Sequence, residues 1–226
     1  MRNKVVRGTV YAAGLLILAM GIILNTKTGL GVSPIVSVPY VVAQIMGWNF
    51  GDATLVFYAL LAVAEYLLKG SRFRAYDLLQ IPLSVVFTRV MNLFSACLPD
   101  AQGPLPRALC LIAAIVCTGV GAAMTLDMRL VPNPGDGIVQ AISDRAGRPL
   151  GLCKNLFDLS SIALSLALGL LFEGRVVGIG LGTLAAMLGV GRVMALFQRL
   201  LERRLTAAAG LAIRPPVPEK TTLDNP

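Results

Sequence analysis

The chain has 226 residues, of which 56% are hydrophobic and only 14% charged, with a mean hydropathy of +0.74 and a formal net charge of +8. Soluble domains carry about a quarter charged residues, so a chain this poor in them excludes a nuclease, a cytosolic dehydrogenase or a disordered tail and points to lipid as its solvent. The positive balance then reads as Lys and Arg held in cytoplasmic loops, not as a nucleic-acid surface.

Apolar runs bounded by charge, Gly or Pro predict six spans, which is what the length holds at about 20 residues per crossing. The first, 8–26, follows Arg2, Lys4 and Arg7 and has the flanks of a retained span, not of a cleaved signal peptide. A stretch at 34–46 comes next and is too short to cross. It opens on Ser33-Pro34, a good N-cap followed by the residue preferred at the first helical position, with Gly29 and Gly31 just before it. Spans 51–68 and 76–97 follow, separated by Lys69, Arg72 and Arg74, and Arg89 falls inside the second of this pair. The fourth span, 107–126, leads to another short stretch, 134–147. This one opens on Asn133-Pro134, with Asp136 placed three residues after the cap to accept an N-terminal N–H, and with Gly135 and Gly137 beside it. In the fifth span, 151–172, Asp158 is read as the carboxylate well inside a predicted crossing. The sixth, 176–198, carries Arg192 and a small face of Gly178, Gly180, Gly182, Gly189 and Gly191 suited to close helix packing. Beyond Leu205 the apolar pattern stops, and 206–226 is expected to be a flexible cytoplasmic tail.

The chain matches itself at an offset of 100: Arg7 on Arg107, Gly21 on Gly121, Pro34 on Pro134, Gly47 on Gly147 and Gly51 on Gly151. After a three-residue shift, Arg89-Val90-Met91 falls on Arg192-Val193-Met194. Matched Gly, Pro and Arg in one register mark an internal repeat, 1–100 and 101–205. Three spans per repeat is an odd number, so the second copy enters the membrane from the opposite side. With the N-terminus inside, 15 of the 20 Lys and Arg lie in cytoplasmic segments and only Lys27, Arg107 and Arg175 lie outside. The expected fold is therefore an all-α polytopic membrane protein of six transmembrane helices, built as two inverted three-helix repeats. Each repeat carries a short broken or re-entrant half-helix, although a surface-lying amphipathic helix would also fit each short stretch.

The candidate substrate-binding residues are Ser33, Pro34, Asn133, Asp136, Arg89, Arg192 and Asp158. Two half-helix starts in corresponding places point to a transport site near the midplane. Arg89 and Arg192 are charged at matched places within spans, where a guanidinium usually turns inward, and would suit carboxylate or phosphate groups. The alternatives are that Arg89 braces Asp158 and that Arg192 snorkels to the inner surface. Asp158 could equally carry a coupling proton. The chain has no His, its four Cys lack metal-ligand spacing, and no nucleophile stands beside a base. No catalytic residue, cofactor or metal is therefore expected.

The run Gly29-Leu30-Gly31-Val32-Ser33-Pro34 with Gly47-Trp48 and Gly51, together with Asn133-Pro134-Gly135-Asp136-Gly137 and the segment Gly178–Arg192, resembles the YczE/YyaS/YitT-type bacterial integral membrane proteins. The resemblance covers all but the tail and implies a multi-pass protein of the bacterial cytoplasmic membrane. It implies no substrate and no catalytic residue. Two functions follow as expectations. One is a small secondary transporter of an anionic or zwitterionic metabolite. The other is a non-transporting module that partners or regulates another membrane assembly. The expected partners are the lipid bilayer and a small-molecule substrate, with no nucleic acid, and a homodimer is a candidate assembly.

Overall fold

In the computed structural model residues 2–211 are described, and every regular element among them is helical. Eight α-helices follow in order: α1 (Arg2–Lys27), α2 (Pro34–Met46), α3 (Phe50–Lys69), α4 (Gln80–Cys97), α5 (Pro104–Asp127), α6 (Pro134–Ala146), α7 (Leu150–Glu173) and α8 (Leu181–Ala208). Two 3-10 turns, Gly70–Arg72 and Ala75–Leu79, link α3 to α4. Six of these helices are long and apolar enough to cross a membrane, so the chain is a multi-pass membrane protein. The short helices α2 and α6 are the exceptions, at 13 residues each.

Local chemistry sets the bounds of both short helices. Pro34 and Pro134 occupy the first turns, where a missing N–H costs nothing and φ is already helical. Gly47 and Gly147 end them in the left-handed region, at φ 66° and 61°, as a C-terminal glycine allows at no steric cost. Two expectations need correction here. Helix α8 continues to Ala208, past the expected end at 198, because its Arg, Leu and Ala residues favour helix even where the apolar pattern fades. The expected tail at 206 therefore begins too early: Thr206 is buried, and Ala209 packs beside Tyr11 and Met128. The rest of that stretch, 212–226, with Arg214 and Lys220, lies outside the described residues.

The centre of the bundle is the crossing of α1 and α5. A Cβ on Gly21 would come within 2.5 Å of the Thr118 nitrogen, and one on Gly121 would meet the Leu18 nitrogen just as hard. Only glycine lets the two backbones approach so closely. Positions 18 and 118, like 21 and 121, are 100 apart, so the two halves of this contact are equivalents of each other. The helices run antiparallel. Arg7 Nε donates to the Met128 carbonyl at 2.6 Å near one end, and Cys110 lies against the Leu24 carbonyl near the other. The remaining packing is also matched: α1 on α4 and α5 on α8, with α2 against α7 and α6 against α3. Glycines 178–182 serve otherwise than expected. They form the entry to α8, where the Val32 N–H donates to the Gly178 carbonyl at 2.8 Å and the Gly182 N–H to the Leu30 carbonyl at 2.7 Å.

Candidate functional site

The two short helices begin next to each other. The backbone enters α2 at Ser33 with φ −59° and ψ 140°, and enters α6 at Asn133 with φ −62° and ψ 140°. The methyl end of Ile35 in the first turn of α2 fills the space a Cβ would take on Gly135 in the first turn of α6. Asn133 caps its helix, its Oδ1 accepting the Gly135 N–H at 3.2 Å, while its Nδ2 donates to the Tyr58 hydroxyl at 3.4 Å. Ser33 makes no side-chain cap, so the two starts match in backbone and differ in side-chain use.

Both starts face a cavity of about 140 Å³. Its polar lining includes Ser33, Tyr58, Asn133, Asp136, Gln140 and Lys154, and the rest is largely aliphatic, from α1, α5 and α8. At α6 the first N–H groups are already taken, Gly135 by Asn133 Oδ1 and Asp136 and Gly137 by the Asn133 carbonyl, so what two helix starts beside one space contribute is the partial positive charge of their dipoles, which favours an anionic group. Asp136 and Lys154 add one full charge of each sign. The Lys154 ammonium lies 3.4 Å from Asp158 Oδ2, one turn along α7. Asp158 is buried, and its Oδ1 has no hydrogen-bond partner among the described residues. Burial pushes the pKa of the Asp136 carboxyl up, with the Lys154 ammonium pulling the other way.

The two arginines do not join this cavity, which corrects the expectation that they face it. Arg89 ion-pairs with Asp52 at 2.7 Å, with the side chains 55% and 49% exposed. Its neighbours Thr88 and Met91 take the buried side of α4, which turns Arg89 outward. Arg192 is exposed because Gly191 and Met194 take the cavity side of α8. Asp158 accordingly pairs with Lys154 and with neither arginine. Pro34 and Pro134 are buried at the helix starts.

Two residues were missed. Lys154, near the start of the fifth span and one of the fifteen basic residues assigned to the cytoplasmic side, lies on α7 and lines the cavity. Its spacing of four from Asp158 was the available signal. Glu65 is fully buried on α3, with the Lys69 ammonium 2.5 Å away, so Asp158 is not alone as a carboxylate within a crossing. A Cβ on Gly137 would sit 2.5 Å from Glu65 Oε2, so that glycine makes room for the carboxylate.

A second, wider hollow of about 790 Å³ lies where α3 ends, lined by Lys69, Arg72, Arg74, Asp77, Asp144 and Arg145 among others. Gln140 lines both spaces. Asp136, Gln140 and Asp144 are four residues apart and so form one polar stripe on α6 leading from the wide hollow to the cavity.

A family model described as a family of unknown function (DUF6198) matches residues 5–199. The chain is 24% identical over 193 residues to the uncharacterized protein YyaS of Bacillus subtilis (strain 168), covering 85% of this chain and 92% of that one. It is 25% identical over 196 residues to the uncharacterized membrane protein YczE of the same organism, covering 85% and 86% respectively. The expected resemblance to the YczE and YyaS proteins is thereby shown. No solved structure matches the chain.

Proposed function

The chain belongs to the DUF6198 family, and on that premise we propose that it is a small secondary transporter, moving a small anionic or zwitterionic metabolite across the bacterial cytoplasmic membrane. The observation that carries this reading is the meeting of two helix starts, one from each half of the chain, on a single cavity whose largely aliphatic wall carries Asp136 and Lys154. Non-helical backbone at membrane depth persists only where it is buried or lines a wet space. Broken helices at corresponding places in two halves are where secondary transporters hold their solute. The reading takes α1–α4 and α5–α8 as inverted repeats, α2 and α6 as re-entrant half-helices, and both termini as cytoplasmic. Three observations support it: the antiparallel α1–α5 crossing with its equivalent contacts, the constant offset of 100 between the helix caps, and the excess of Lys and Arg at the end of the bundle where α1 begins.

Reconstitution of the purified protein into liposomes tests it. Labelled amino acids and small carboxylates, offered with a solute gradient and separately with a proton gradient, should accumulate faster than in empty liposomes. Asp136→Asn should slow that accumulation. If folded protein accumulates none of them, the chain is a non-transporting module instead.

A further inference from the structure

We infer that the central cavity binds a small zwitterion with an apolar body, its carboxylate on Lys154 near the positive ends of two helix dipoles, its ammonium on Asp136. This rests on the cavity being the solute site of the proposed transporter and names the class of solute. Among the described residues lining the cavity, Lys154 and Asp136 are the charged ones, one of each sign. A simple anion would meet the Asp136 carboxylate, and a simple cation would meet Lys154 and two positively polarised helix starts. A zwitterion opposes neither.

The hydrogen-bonding capacity agrees. An ammonium has three donors, and Asp158 Oδ2, at 3.4 Å, takes up one direction of Lys154, leaving the others for a ligand carboxylate. The Asp136 backbone N–H donates to the Asn133 carbonyl at 2.8 Å, while among the described residues no N–H is donated to its carboxylate, contrary to the capping role expected of it, and the carboxylate can receive an ammonium. Tyr58 accepts from Asn133 Nδ2 and keeps its own proton to donate. The remaining wall, with Leu18, Ile22, Ala122, Val190 and Met194, offers an ionic group nothing and suits an aliphatic body. At about 140 Å³ the space equals roughly five waters' share of liquid, at about 30 Å³ each, which suits a ligand of on the order of five to eight non-hydrogen atoms.

The test compares three matched probes on the purified full chain in lipid nanodiscs. Valine carries both charges, isovalerate lacks the ammonium, and isobutylamine lacks the carboxylate. Binding is read by thermal shift and equilibrium dialysis. Valine should bind at least about tenfold more tightly than either single-charge analogue. Asp136→Asn should erase the preference for valine over isovalerate, and Lys154→Met the preference over isobutylamine. Arg89→Gln should leave all three unchanged. If Lys154→Met does not fold because Asp158 loses its partner, the double variant Lys154→Met with Asp158→Asn removes both charges and should show the same loss. Isovalerate binding as tightly as valine to the unaltered protein overturns the inference, as does folded protein that binds none of the probes. Uptake by proteoliposomes separates this from the transporter reading. Valine bound but not moved would overturn transport and leave the zwitterion site in place, whereas uptake that favours isovalerate over valine would keep transport and overturn the zwitterion.

Discussion

Glu65 is sealed from solvent, and among the described residues the Lys69 ammonium is the one group that meets its carboxylate. Removing one partner of a buried ion pair leaves an uncompensated charge, at about 3–5 kcal/mol, whereas removing both is often nearly neutral. Lys69→Met should therefore destabilise the protein by about that amount, toward the lower end because Lys69 keeps some solvent contact and is also paired with Asp77 at 3.4 Å. Adding Glu65→Gln should restore most of the loss, and chemical unfolding in one detergent checks both variants. At Asp136 the relevant variable is pH. Burial holds its carboxyl above the ordinary carboxylate range, so it loses its charge at a higher pH than an exposed Asp would. The charged and titratable groups around it are Lys154 and Asp158 from α7, Tyr58 from α3, and Glu65 from α3 on the far side of Gly137. Protonation removes the charge that meets an ammonium. Valine affinity should fall as pH drops through that raised value, and Asp136→Asn should flatten the dependence. A flat profile in the unaltered protein would count against an ammonium at Asp136.

At the scale of the helix, the close crossing of α1 and α5 makes a paired prediction. Gly21→Ala and Gly121→Ala each put a methyl group against backbone of the other helix. Forcing an extra carbon into packed space costs about 1–3 kcal/mol, so both variants should melt earlier and by similar amounts. Gly151→Ala makes the same change where nothing lies within 4 Å, and should be neutral or slightly stabilising. Helix bounds were legible for the same reason that these glycines are. Pro34, Pro134, Gly47 and Gly147 act through φ and a missing N–H or Cβ, which a sequence displays directly. Side-chain direction is a different matter. One residue is a rotation of about 100° on a helix, so facing depends on which side the neighbours cover. Arg89 and Arg192 therefore could not be aimed from spacing alone, and they turn outward. Lys154 and Glu65 were hidden by a related difficulty. A charge near the end of an apolar run reads as a loop residue until the packing of α6 against α3 and α7 encloses it.

At the scale of the whole molecule, the proposed inverted repeat carries a sidedness that labelling can read. Arg7 on the Met128 carbonyl and Gln198 on Asp127 at 2.6 Å gather the start of α1, the end of α5 and the later turns of α8 at one end. Lys27 with Asp100 at 3.3 Å, and Val32 with Gly178, gather the opposite end. In a background where Cys97, Cys110, Cys117 and Cys153 are replaced, Ser71→Cys should react with an impermeant thiol reagent from the cytoplasmic side only, and Gln102→Cys from outside only. Ser71 labelled from outside would end the inverted arrangement, since α3 would then cross in the wrong sense. Gln140→Cys carries the argument further, because a flat amphipathic helix and a re-entrant one place it differently. On a surface-lying α6 it would react as fast as Ser71→Cys and ignore any solute in the cavity. Lining both the wide hollow and the cavity, it should react from the cytoplasmic side more slowly than Ser71→Cys, and more slowly still when valine is present. Protection at Gln140→Cys without protection at Ser71→Cys would tie the cavity, the polar stripe of α6 and the cytoplasmic opening into one path.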